Sequence, residues 1–134
     1  IKGIMEPEDA RLAVDSGADA LIVSNHGGRQ LDGAPSAIAA LPAIVDAVGS
    51  QIEVHMDSGI RSGQDVLKAW ALGARGTYIG RAFLWGLGAA GEDGVLRALH
   101  IIHKELDTTM AFCGHTQIAN VDTSILKPGT YPTA

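Results

Sequence analysis

"GADALIVS" (Gly17–Ser24) returns further along the chain as "GARGTYIG" (Gly73–Gly80): Gly-Ala, two variable positions, then an apolar run closing on a small residue. Each copy follows a helical pattern and opens a strand, so the repeat marks two similar βα units. Short β-rich runs and helical patterns alternate around it: 1–4 "IKGI", 7–17 "PEDARLAVDSG", 19–25 "DALIVSN", 36–49 "SAIAALPAIVDAVG", 52–59 "IEVHMDSG", 63–73 "GQDVLKAWALG" and 76–81 "GTYIGR". That alternation is the signature of a parallel sheet. Pro7 ahead of Glu8 and Asp9 suits a first helical turn, where the missing N–H does no harm and carboxylates complement the dipole. Gly17, Gly49 and Gly73 each follow a helical run, as left-handed C-caps do. After Arg81 the pattern changes, and Glu92 to Met110 reads as a long amphipathic helix with Val95, Leu99, Ile102 and Leu106 on one face. The segment from Gly114 reads as a loop-like tail, with "SILKPGTYPTA" expected to be mobile in isolation.

Composition narrows the function. The chain has 134 residues, 46% of them apolar, which is one domain's worth of core-forming sequence. A net charge of −5 with few aromatics argues against nucleic acid as a partner. The single Cys113 excludes an intrachain disulfide, and no CxxC pair exists for a zinc ribbon. No run approaches a membrane span. The first residue is Ile1 rather than Met, which leads us to expect a fragment of a longer chain.

The polar residues gather at corresponding places in the repeat. Lys2 lies in the first strand, His26 and Arg29 follow the second, Asp57 and Arg61 the third, and Gly80 and Arg81 the fourth. In a parallel sheet the C-terminal strand ends share one rim, where the sites of (β/α) barrels sit. A histidine there can act as a general base at neutral pH. Arg29, from the same turn, can hold a carboxylate with its planar fork; its plainer alternative is a surface ion pair with Asp32, worth little. Gly27 and Gly28 permit close approach of backbone to a ligand. "DSGIRSG" and "IGR" offer glycine-flanked amides and two arginines, a phosphate-binding pattern, although Gly59 or Gly80 alone reads as a turn glycine. No Walker sequence or GxGxxG occurs. His100 and His103 are one turn apart without further ligands, so no metal site is expected. His55, alternating with Val54 and Met56, is expected to face the barrel interior as a packed histidine, and Trp70 and Trp85 to serve as core or interface anchors.

These stretches, "KGI", "SNHGGRQLD" and "DSGIRSGQDVLKAWALGARGTYIGRAFLWGL", resemble the C-terminal half of the FMN-dependent L-2-hydroxy acid oxidases and dehydrogenases, which include glycolate oxidase, L-lactate dehydrogenase and mandelate dehydrogenase. The similarity runs to about Gly114. It implies an α/β fold, the C-terminal half of a (β/α)8 TIM barrel made of four βα units plus a long C-terminal helix, over residues 1–113, with a tail over 114–134. It implies FMN as cofactor and His26 as the base, with Arg29 as the substrate-carboxylate clamp. Lys2 would stabilise negative charge on the flavin and Ser24 lie near it. Asp57 would contact the ribityl chain, with Ser58 and Gly59 beside the cofactor and Arg61, Gly80 and Arg81 around the phosphate. Where the family usually has Asp-Gly-Gly this chain has Asp57-Ser58-Gly59, a variant closer to bacterial dehydrogenases.

The implied partners are a small 2-hydroxy acid, the N-terminal half of the barrel, and further copies of the protein in a tetramer. That half would bring substrate-contacting tyrosines and an aspartate that orients the histidine. The implied location is cytoplasmic, extending to peripheral association with a bacterial inner membrane. Two other readings stand beside oxidation: a half-barrel that binds FMN or phosphate without turnover, and an inactive structural fragment. With the inward strand faces, including Ile4, Leu21, Val23 and Val54, deprived of their partners, the chain by itself is expected to associate or aggregate and to lack activity.

Overall fold

The computed structural model describes residues 1–133. Four strands, β1 (Lys2–Ile4), β2 (Ala20–Val23), β3 (Glu53–Met56) and β4 (Gly76–Thr77), pair in parallel in the order β1-β2-β3-β4. Helices α1 (Pro7–Asp15), α2 (Ala37–Val48), α3 (Gly63–Ala71) and α4 (Arg81–Phe112) follow them one by one, giving the four expected βα units.

Local chemistry starts and stops these elements where the sequence suggested. Pro7 opens α1 with Glu8 and Asp9 in its first turn. Gly17 (φ 80°) and Gly73 (φ 104°) are left-handed caps closed by equivalent bonds: Gly17 N–H to Val14 O and Ala18 N–H to Ala13 O, then Gly73 N–H to Trp70 O and Ala74 N–H to Ala69 O. This double bond pattern is the Schellman motif, and it explains why the repeat begins Gly-Ala. Gly49 differs from the expectation. It stays right-handed (φ −64°) and its N–H continues the turn to Val45 O, so α2 ends without a left-handed residue. Helix α3 begins with a capping box unnoticed in the sequence: Ser62 Oγ accepts from Asp65 N–H while Asp65 accepts from Ser62 N–H.

One face of the sheet is dry. Leu21, Val23, Val54 and Met56 are essentially fully buried and pack with Ala10, Leu41, Ile44 and Val48 from α1 and α2. This corrects the expected orientation, because Leu21, Val23 and Val54 face the helices instead of the open side, and Ile4 packs with them. Strand β1 carries a bulge. Lys2 pairs with Ile22 but Ile4 pairs with Val23, so two steps along β1 match one along β2, with Gly3 at φ 97° absorbing the mismatch. Lys2 therefore falls on the open face and Ile4 on the helical one. For association the isolated chain offers the β1 and β4 edges and exposed large apolar side chains, among them Leu84, Trp85, Leu96 and Phe112 of α4.

Helix α4 bends sharply at Ala90 and Gly91, both outside helical geometry, so its first segment begins ahead of the expected Glu92 start. The two segments meet at Gly86 and Gly94, where a Cβ on either glycine would run into the other's backbone. The second segment packs on α3, whose Gly63 abuts the backbone of Ile102 to Leu106 and donates its N–H to Glu105 Oε2 at 3.0 Å. That close approach turns Val95, Ala98, Ile102 and Leu106 inward and leaves Leu99 exposed, contrary to the face read from the sequence. Among its described residues the tail has neither helix nor strand of ordinary length, as expected, yet it is docked. Short 3-10 turns at Ile118–Asn120 and Thr123–Ile125 set Val121 and Leu126 against Leu67 and Ala71 of α3. Hydrogen bonds from Ser124 hold the Asp122 carboxyl below the usual carboxylate range.

Gly94→Ala should lower the unfolding free energy by about 1–3 kcal/mol, the usual cost of overpacking. Gly88→Ala, at an exposed position of the same helix with nothing within 4 Å of a Cβ, should raise it by about 0.5–1 kcal/mol. Urea unfolding of the two variants beside the parent checks both signs.

Candidate active site

The turn after β2 is built from backbone that few side chains tolerate. His26 (φ 57°) is left-handed, followed by Gly27 (φ 68°) and Gly28 (φ 71°) in a 3-10 turn. Asn25 holds it: its Oδ1 accepts from Gly28 N–H at 3.2 Å and its Nδ2 donates to Pro35 O at 3.0 Å. The resulting loop lifts His26 and Arg29 to the surface at the strand end, both exposed. Among the described residues neither the His26 ring nor the Arg29 guanidinium has a hydrogen-bond partner, and no Arg29–Asp32 ion pair forms.

Beside this turn the open face of the sheet carries charge. Lys2 Nζ pairs with Asp57 Oδ2 and donates to Ser24 Oγ at 2.9 Å. Partial burial pushes the Lys2 ammonium below its ordinary range, and the Asp57 carboxylate supplies the counter-charge. Ser24, buried, also accepts from His26 N–H at 3.2 Å, so it supports Lys2 and the histidine turn from behind. Ser58 is the second non-glycine in left-handed backbone (φ 69°), with Gly59 (φ 95°) following it.

All the residues nominated from the sequence except Ser24 line one cavity of about 240 Å³: Lys2, His26, Arg29, Asp57, Ser58, Gly59, Arg61, Gly80 and Arg81. Each arginine at its far end is anchored by another element. The Arg61 guanidinium lies over the Trp85 ring of α4, 5.7 Å from its centroid, and Arg81 donates to Gly27 O at 3.3 Å. Gly80 has no neighbour within 4 Å of a would-be Cβ, leaving its backbone open to a ligand. Two guanidiniums with uncovered glycine backbone at one end, and a lysine with a carboxylate at the other, form a donor set that suits a phosphorylated, hydroxyl-bearing cofactor.

Some wall residues escaped the sequence reading. Ile60, Tyr78, Ile79 and Leu84 also line the cavity. Tyr78 sits two residues before Gly80 at the end of β4, a position that could have flagged it. Its hydroxyl meets His55 Nδ1 at 3.0 Å, and His55 Nε2 meets Glu53 Oε2 at 3.0 Å, so His55 is a packed and hydrogen-bonded histidine on the open face, as alternation suggested. Trp85 proves to be an arginine platform, while Trp70, on α3, packs in the cluster with Val121 of the tail and lies under Arg75. Among the described residues no group of His, Cys, Asp or Glu could hold a metal ion, and no helix is long and apolar enough to cross a membrane.

A parallel sheet whose strand ends gather a histidine, three arginines and glycine-lined backbone has the layout on which (β/α) barrels carry phosphate-binding sites. The chain belongs to the FMN-dependent dehydrogenase family, whose pattern it matches over residues 1–128, and FMN is that family's cofactor. It is 53% identical over 126 residues to an L-lactate dehydrogenase of Caulobacter vibrioides, covering 94% of this chain and 33% of that protein. A 2-hydroxyacid oxidase of Dictyostelium discoideum is 51% identical over the same length, with 94% and 32% covered. A pre-mycofactocin synthase of Mycobacterium tuberculosis is 50% identical over 129 residues, with 96% and 33% covered. Among solved structures, mandelate oxidase with benzoyl-formic acid superimposes with a TM-score of 0.85 at 52% identity, covering 88% of this chain and 35% of that one. A mandelate oxidase variant carrying a monooxide FMN adduct gives the same score and identity. The chain thus spans about a third of the length of the curated relatives it matches.

Gly3→Ala should cost about 1–3 kcal/mol, because a Cβ is strained at this backbone angle and the bulge is what turns Lys2 to the open face. Lys2→Ala, which removes only a half-exposed ion pair, should cost less than about 1 kcal/mol. Denaturant midpoints of the two variants test that order.

Proposed function

We propose that this chain is the part of an FMN-dependent enzyme, one that oxidises an L-2-hydroxy acid to the 2-oxo acid, that carries the base, the carboxylate-binding arginine and the cofactor phosphate site. The observation that carries the reading is the convergence of His26, Arg29, Lys2, Asp57 and the Arg61–Gly80–Arg81 group on one cavity. Family membership and the relatives named for lactate, 2-hydroxy acid and mandelate oxidation support it. The cavity of about 240 Å³ lies below the roughly 300–1,000 Å³ of a typical ligand pocket. That shortfall fits a chain supplying one wall of a site, with the remaining strands of an eight-stranded barrel closing it. The whole protein then combines this half-barrel with its N-terminal counterpart, and further copies assemble as a tetramer.

FMN, when bound, supplies the two-electron acceptor. Arg61 and Arg81 would hold its phosphate with the open backbone at Gly59 and Gly80, and Asp57 would accept from its hydroxyl-bearing chain. Arg29 takes the substrate carboxylate through two parallel N–H donors, fixing which face of the hydroxy acid meets the cofactor. His26 Nε2 or Nδ1 would accept one of the two protons that oxidation of the CH–OH unit releases, the second hydrogen leaving with the electron pair that the bound cofactor accepts. Lys2, on the same wall, places a positive charge where reduction develops negative charge.

Flavin absorbance of the purified protein, followed by anaerobic addition of L-lactate or L-mandelate, tests the reading. Bleaching of the flavin is expected; bound flavin that no L-2-hydroxy acid reduces would instead favour a binding-only role. His26→Gln should lower turnover by more than about 10²-fold while FMN stays bound, checked by steady-state kinetics and the flavin spectrum. Arg29→Lys keeps the charge but loses the planar fork, so it should erase the preference for a hydroxy acid over the corresponding amide, read as the ratio of kcat/KM values.

A further inference from the structure

Ser58 pays backbone strain to stand where it does. At φ 69° it occupies left-handed backbone that a glycine would adopt freely, and two residues of the site, His26 and Ser58, share this unfavourable geometry. The hydroxyl makes two bonds. It donates to Asp57 Oδ1 at 2.7 Å and accepts from Gly27 N–H at 3.0 Å. A carboxylate can only accept, so the single hydroxyl proton is committed to Asp57 and a lone pair is left facing Gly27. Lys2, paired to the other carboxylate oxygen, holds Asp57 in place. On its far side Gly27 is also held by Arg81, whose guanidinium donates to the carbonyl oxygen of the following peptide unit, while His26 N–H is tied to Ser24. The backbone around His26 is therefore restrained from several directions, and among the described residues only the Ser58 hydroxyl ties it by a direct hydrogen bond to the turn after β3.

We propose that Ser58 is a positioning residue for His26: its hydroxyl, oriented by Asp57, clamps the Gly27 amide and fixes the aim of the imidazole. This assignment rests on the reading of His26 as the proton acceptor. Ser58 would then act between the side chains that meet cofactor and substrate, without needing to touch either.

The test is Ser58→Gly in the flavin-loaded, full-length protein, with Ser58→Ala beside it. Glycine relieves the strained backbone, so the melting temperature should equal or exceed the parent's, and a loss of function cannot be put down to unfolding. At saturating FMN, kcat on the L-2-hydroxy acid should fall about tenfold to a hundredfold, the scale of a small misplacement of a reacting group, with substrate KM and FMN affinity unchanged. Amide exchange at Gly27 should quicken in step. Ser58→Ala should match the glycine variant in kcat yet melt lower, separating the hydroxyl from the backbone. Unchanged Gly27 exchange, or unchanged kcat with quicker exchange, would overturn the assignment, as would lost FMN affinity with kcat preserved. A parent protein that oxidises no L-2-hydroxy acid would sink the functional reading, while Gly27 exchange would still judge the clamp.

Discussion

Everything at the site follows from the burial of one face of a four-stranded sheet. Leu21, Val23, Val54 and Met56 are locked against α1 and α2, and side chains on a strand alternate strictly. Ile22 and His55 are consequently turned to the opposite face. A slip of one residue in β2 or β3 would expose the buried four and bury the polar set, so the hydrophobic effect fixes the register on which the chemistry stands. Each of those four side chains contributes about 1.5–3 kcal/mol by its burial, far more than the half-exposed Lys2–Asp57 pair can return.

Strand β1 is the exception that makes the site work. Simple alternation would put Lys2 and Ile4 on the same face, either both dry or both open. The Gly3 bulge separates them, giving the core its isoleucine and the cavity its lysine. At the other strand ends, too, irregular backbone delivers chemistry: His26 and Ser58 are held in left-handed geometry by Asn25, Asp57 and the Gly27 peptide. Strain of this kind persists only where several partners over-determine it.

The alternation of elements was legible because it rests on local physics. Period-2 and period-3.6 patterns, Pro7 at a first turn, and Gly17 and Gly73 as left-handed caps need no distant partner. The residues of the site were legible for a related reason: equivalent positions in successive βα units come to one rim, so His26, Arg29, Asp57, Arg61 and Arg81 gather without any need to know the packing. What escaped the sequence depends on contacts across the fold. The strand faces were misassigned because parallel strands read as apolar throughout and the bulge at Gly3 leaves only a glycine as its trace. The first segment of α4 was missed because Gly86 and Gly88 depress helix propensity, whereas the Gly86–Gly94 contact needs that absence of side chains. Leu99 gave up its place inside to Ala98 because α3 comes close at Gly63. Trp85 under Arg61, and the tail against α3, pair residues far apart in sequence with no local sign of it.

The strand order has a consequence for how such a chain comes into being. Every strand pairs with the strand of the unit before it, and the principal helix contacts join α1 to α2 and α3 to α4. No connection has to wait for a distant segment to arrive. During synthesis each βα unit can dock on the edge left by its predecessor as it leaves the ribosome, so the sheet extends in the direction of translation. Until the next unit is made, the backbone donors and acceptors of the strand just completed stand open, so over these four strands the exposed edge moves forward by one strand with each unit added.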